Sequence, residues 1–150
     1  MDTFLITFHS YNRFFVLAAL VFLLFRAYSG WLGRKPFENI DDKASLVLMI
    51  LSDVQLLAGL VLYAFLSTWT QTAFANFGAA MKDPMLRYFA VEHIAAMLLA
   101  IGLIHAGRFI SKKAQSPERK HKILAVYTTI ALLIIVGTLA QKGLLFGRLP

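Results

Sequence analysis

A chain of 150 residues that is 59% hydrophobic and only 15% charged is too apolar for an ordinary soluble domain and reads as one integral membrane domain over residues 1–150. It has no cysteine, which excludes disulfides, thiolate metal sites and covalently attached haem and leaves four histidines as the only strong nitrogen ligands. The net charge of +7 would fit a nucleic-acid partner, but ten of the fifteen basic residues fall in two loops, which is a topology signal and argues against nucleic acid.

The first predicted span covers residues 4–25 and carries His9, Asn12 and Arg13 on one face, since helical residues three and four apart are neighbours. No basic segment or small-residue cleavage site precedes it, so it is expected to be a retained span and not a removed signal peptide. The loop AYSGWLGRKPFENIDDK mixes Gly, Pro and charges, and Asn39, Asp41 or Asp42 is expected to cap the next helix. The second span, 45–66, is apolar except for Ser52, Asp53 and Gln55, with Gly59 one turn on; a carboxylate at that depth needs a partner. Residues 67–82, STWTQTAFANFGAAMK, are too polar to span, and Trp69, Phe74 and Phe77 place them at the interface, in a short surface helix.

The third span, 85–107, has the strongest start signal. Asp83 can accept the free amides of a first turn, and Pro84 fits the first helical position. About 23 residues at 1.5 Å each give roughly 35 Å, enough to cross the hydrocarbon, so Glu92 and His93 lie inside the membrane. In SKKAQSPERKHK, Ser116 and Pro117 repeat the cap and first-position pattern for the fourth span, 118–140. The tail QKGLLFGRLP is expected to be ordered only by packing. The predicted fold is therefore all-α, an antiparallel up-down four-helix transmembrane bundle. Its basic first and third loops, against only Lys82 and Arg87 in the second, put both termini outside, on the periplasmic side.

Depth selects which polar residues can act together. His9 and His93 each fall roughly 8 to 13 Å from the outer helix ends, and on adjacent spans they would face each other. Two such imidazoles are what a b-type haem needs as axial, metal-ligating groups. Phe89, Ala96, Met97 and Ala100 share the His93 stripe, and Arg13 and, nearer the surface, Arg87 are placed to answer its propionates. Against this, a single membrane histidine is more often a hydrogen-bonded structural group, and alanines four apart are commonly packing positions. His121, inside ERKHK, reads as a solvated loop residue. His105 lies between a second-site ligand and an interfacial role. It is twelve residues from His93 and so about 120° away around the helix, which makes a second haem near His105 the weaker alternative. Arg13, Asp53 and Glu92 offer a separate reading as a buried charge cluster, either a proton relay or polar glue between helices.

At HSYNRF, RAYSGWLGRKPF, SDVQLLAGLVLYAFLS, MKDPMLRYFAVEHIAAM and HAGR the chain resembles a family of small four-span membrane proteins of Bacteroidetes, labelled cytochrome b-like. That resemblance maps onto His9, Arg13, Asp53, Gln55, Arg87, Glu92, His93, His105 and Arg108. It implies a multi-pass four-helix protein of the bacterial inner membrane, in contact with lipid, and suggests haem. The expected function is electron transfer through one b-type haem near the periplasmic face, as a carrier more than an enzyme. The alternatives are a haem-free accessory subunit of a larger respiratory or membrane complex, and a quinone-linked reductase.

Overall fold

In the computed structural model, which describes residues 2–147, the chain is all-helical. Helix α1 runs over Asp2–Leu32 and α2 over Asn39–Val61, the latter continuing as a π-helical turn, Leu62–Leu66. Two short helices follow, α3 (Thr68–Ala75) and α4 (Phe77–Ala80). The next long rod begins as α5 (Pro84–Arg87), passes through a second π turn, Tyr88–Glu92, and continues as α6 (His93–Lys113); α7 covers Pro117–Ala140. Four of these stretches are long and apolar enough to cross a membrane: Thr3–Leu32, Asn39–Leu66, Pro84–Lys113 and Pro117–Ala140, hereafter spans 1 to 4. Each extends beyond its predicted bounds at one or both ends, because polar residues near the interface join the helix as soon as a cap lets them.

The caps are local chemistry. Asp83 accepts from the amides of Met85 and Leu86, and Ser116 accepts from Arg119, each with proline following, as the sequence predicts. At the start of α2 the cap is Glu38, not Asn39, Asp41 or Asp42. Asp41 instead closes a capping box from the third helical position, accepting the Glu38 amide at 2.8 Å. Span 1 ends in a turn in which Lys35 N–H reaches the Gly30 carbonyl and Arg34 takes a left-handed conformation, φ 49°.

The spans close into a ring: span 1 packs on spans 2 and 4, span 3 packs on span 4, and the seam between spans 2 and 3 is the loosest of the four. Spans 1 and 3 thus stand on a diagonal. Lipid is as apolar as leucine, so association rests on close packing and interhelical hydrogen bonds. Leu20, Leu23, Ala27, Leu48, Ile104, Leu124 and Ala125 fill the half nearer the basic loops. At Gly107 an added Cβ would come 2.7 Å from the Tyr127 Cβ, so spans 3 and 4 touch there almost backbone to backbone. In the other half the core opens into a cavity.

Candidate functional site

The cavity has a volume of about 300 Å³ and is walled by all four spans, the start of α3 and the tail. Span 1 contributes His9, Arg13 and Val16; span 2 contributes Ser52, Gln55 and Gly59; span 3 contributes Phe89, His93 and Met97; Ile135, Leu139 and Leu144 close it from span 4 and the tail. His9 is set by its neighbours. Gln55 donates to the His9 carbonyl at 2.8 Å and accepts from Asn12 at 2.8 Å, which fixes spans 1 and 2 at this level. The imidazole lies on Gly59, where an added Cβ would approach its Cε1 to 3.0 Å.

His93 is positioned by the second π turn. The π geometry inserts a residue and frees backbone carbonyls, a feature often found at functional sites. Here the two π turns are tied together: the Tyr63 hydroxyl in the first donates to the Ala90 carbonyl in the second at 2.7 Å, and Thr70 donates to the Tyr63 carbonyl at 2.7 Å. Tyr88, fully buried, donates to the Thr138 carbonyl of span 4 at 3.0 Å, and its ring stands 5.7 Å from that of His93. Phe89 packs against Trp69, 5.7 Å between centroids, so Trp69 is half-buried against the bundle while Phe74 and Phe77 are exposed.

The unsatisfied polar atoms carry the chemistry. Among the described residues five buried side-chain atoms lack a hydrogen-bond partner: His9 Nδ1, Arg13 Nε, Ser52 Oγ, His93 Nδ1 and His121 Nδ1. The first four belong to residues that wall the cavity. Burying such an atom unpaired costs about 1–3 kcal/mol, and four of the five gather around one cavity. Two imidazoles and a guanidinium are groups that could hold a metal-centred ligand with acidic substituents.

The geometry brings some predicted residues together and separates others. His9, His93 and Arg13 share the cavity, but across the diagonal, not from adjacent helices: span 4 lies between them on one side and span 2 on the other. Phe89 and Met97 line it as expected, whereas Ala100 is buried in the packed core. Arg87 is directed away, bonded to Glu92 at 2.7 Å and to the Met81 carbonyl at 3.1 Å. The charge cluster of Arg13, Asp53 and Glu92 does not form. Glu92 belongs to Arg87, Asp53 pairs with His105 at 2.7 Å, and Arg13 donates to the Gly147 carbonyl at 3.0 Å with its guanidinium over the Phe14 ring. His105 therefore faces span 2, well away from His93, as the twelve-residue spacing requires.

His121 is corrected outright. It is 1% exposed, held between Phe37 and the bare backbone of Gly30, with Nε2 at 3.2 Å from the Pro36 carbonyl. The signal was present in the stripe Leu124, Ala125, Thr128 and Ala131, all buried, which one turn earlier reaches position 121. Ser52 stood out in the sequence only as a polar break in the second span, and Thr70, Leu144 and the Gly147 carbonyl were not singled out. The tail residues act only through a turn, with Gly143 at φ 65°, that returns the chain to the bundle.

No protein-family model, curated protein or solved structure matches this chain. The site must be read from its own chemistry.

Proposed function

We propose that the cavity holds one b-type haem and that the protein passes electrons within the membrane, near the face opposite its basic loops. The supporting observation is the convergence of His9, His93, Arg13 and Ser52, each with a buried unpartnered atom, on a single apolar cavity. His9 and His93 would supply the axial nitrogens and Arg13 a charge partner for a propionate; a bound haem supplies one-electron exchange. The chain's own contribution is to orient the two rings, His9 through Gln55 and Gly59 and His93 through the π turn, and to exclude water with Phe89, Met97, Ile135 and Leu139. With the basic loops inside, the site lies toward the periplasmic face of a bacterial inner membrane, the placement that the cytochrome b-like resemblance implies.

A second reading, a quinone-type ligand, is favoured by one observation: about 300 Å³ is at the lower end of cofactor-sized pockets. Ser52 and Arg13 would then be donors to its carbonyls. Protein made with ample haem and purified in detergent separates the two. The haem reading expects a six-coordinate low-spin b-type spectrum that His9→Ala or His93→Ala abolishes or turns high-spin, while His105→Ala leaves it intact. Purification without haem overturns it in favour of the quinone ligand or a haem-free subunit. Loss of half the haem in His105→Ala reveals a second site. Reporter fusions at Lys113 and near the C-terminus should give opposite signals if the basic loops are inside.

A further inference from the structure

Asp53 and His105 are hydrogen-bonded across spans 2 and 3 at 2.7 Å, with both side chains partly open to the outside of the bundle. Their side chains are 41% and 32% exposed. Asp53 lies about 21 Å along span 2 from Asn39, and His105 about 12 Å along span 3 from Lys113. At those depths the surroundings are hydrocarbon, where ionisable groups are costly and normally face protein or water. His105 Nε2 is engaged by Asp53 Oδ1, which leaves His105 Nδ1 and Asp53 Oδ2 without a partner among the described residues.

The surface around the pair is shaped for close approach. On span 3 the same stripe carries Leu98, Gly102, Ala106 and Phe109; Leu98 and Phe109 are exposed, and a Cβ added at Gly102 would meet nothing within 4 Å. On span 2, exposed Ile50 and Leu57 flank Asp53. Small residues four apart let a second helix approach closely in a membrane.

We propose that this surface is the contact between two copies of the chain, related by a two-fold axis along the membrane normal. Such an axis conserves depth, so it sets the Asp53 and His105 of one copy against the same pair of the other in reversed order, and the surface is complementary to itself. Each His105 ring then stands between its own carboxylate and that of the second copy, so that Nδ1 and Oδ2 find partners across the axis. Gly102 and Ala106 sit beside the axis. The contact also covers the loosest seam of the bundle, between spans 2 and 3.

The chain has no cysteine, so single cysteines report the contact without background. In membranes at low protein density, Gly102→Cys and Ala106→Cys should form disulfide-linked dimers under mild oxidation, whereas Leu133→Cys, on the exposed face of span 4, should not. Adding Asp53→Asn to Gly102→Cys should lower cross-linking roughly threefold to tenfold, the range expected for losing one or two intramembrane hydrogen bonds. The exchange Asp53→His with His105→Asp should restore it, which separates loss of contact from loss of folding. Gly102→Leu has room in the single copy and should leave a folded monomer by native mass measurement. Cross-linking at Gly102 no stronger than at Leu133, a dimer fraction indifferent to Asp53→Asn, or a dimer that survives Gly102→Leu would each overturn the proposal.

Discussion

At the basic-loop end of the bundle Arg26 meets Asp41 at 2.7 Å and Glu38 at 2.9 Å, buried Arg108 binds the Asp42 carboxylate, the Asp42 carbonyl and the Ser45 hydroxyl, and Ser111 donates to the Lys120 carbonyl. At the opposite end the histidines, Arg13 and Ser52 wall a cavity and each keeps an atom unpaired. Both ends bury charged or titratable groups, so burial alone does not distinguish a structural polar residue from a ligand-binding one. The tally of partners differs more: Arg26 and Arg108 at the basic-loop end have theirs in place, with His121 Nδ1 the one unpartnered buried atom there among the described residues, whereas four groups around the cavity each keep an atom that a ligand could take under the proposed reading. The two π turns both fall at the cavity end.

The widest separation between the two ends should come from deleting one side chain of each kind. Arg108→Leu removes the guanidinium that joins the end of span 3 to the start of span 2 and leaves Asp42 and Ser45 without it. The expected loss is about 3 kcal/mol, at the low end for a broken buried pair because Asp42 is partly exposed. His93→Leu removes an unpartnered nitrogen, so haem-free protein should keep its stability within about 1 kcal/mol while ligand binding is lost. Thermal unfolding in detergent measures both, and equal losses would erase the distinction between the ends.

Glycines sharpen the comparison by about 1–3 kcal/mol. Gly107→Ala places a methyl against the Tyr127 Cβ, which cannot swing aside, and should destabilise the bundle by that amount. Gly102→Ala, five residues earlier on the same helix, meets open space and should stabilise span 3 by up to about 1 kcal/mol through helix propensity. Matching shifts would mean that the two positions are packed alike.

The four spans, the starts of the third and fourth and the shared depth of His9 and His93 were legible because hydropathy, capping and helical rise are local properties of the chain. Partner identity was not. Arg87 and Glu92 are five apart, a spacing that an α-helix turns away from itself but a π turn brings together, and nothing in YFAVE announces a π turn. Asp53 could have met either Arg13 or His105 by depth. Only the order of the spans around the ring and their rotations select His105, and these depend on packing across the whole bundle. The tail's return over the cavity was hidden for the same reason.

The link between the π turns offers a smaller test. Tyr63→Phe deletes the hydroxyl that binds the Ala90 carbonyl and should cost about 1 kcal/mol, the net worth of one such bond. Hydrogen exchange in span 3 should rise at residues 88–92 and stay unchanged at 104–111, because only the cavity end depends on this bond. Uniform exchange along the helix would mean that the ends do not behave as separate units.

The smallest effect is expected at Asp83, which caps the rod carrying His93 but is itself fully exposed. Hydrogen bonds from the Leu86 and Met85 amides hold its carboxyl below the ordinary value of about 4. A carboxyl depressed in the folded state stabilises it fully above its unfolded pKa, and that stabilisation disappears as the pH falls through the folded value. Asp83→Ala should therefore lower the unfolding midpoint slightly at pH 7, and the gap from the unaltered protein should close only as the solution becomes acidic enough to protonate the cap. Because the cap acts on the first turn of α5, the loss should appear as faster exchange at Met85 and Leu86 with residues 104–111 unaffected. A gap that persists unchanged into acid would show that Asp83 acts through something other than its charged carboxylate.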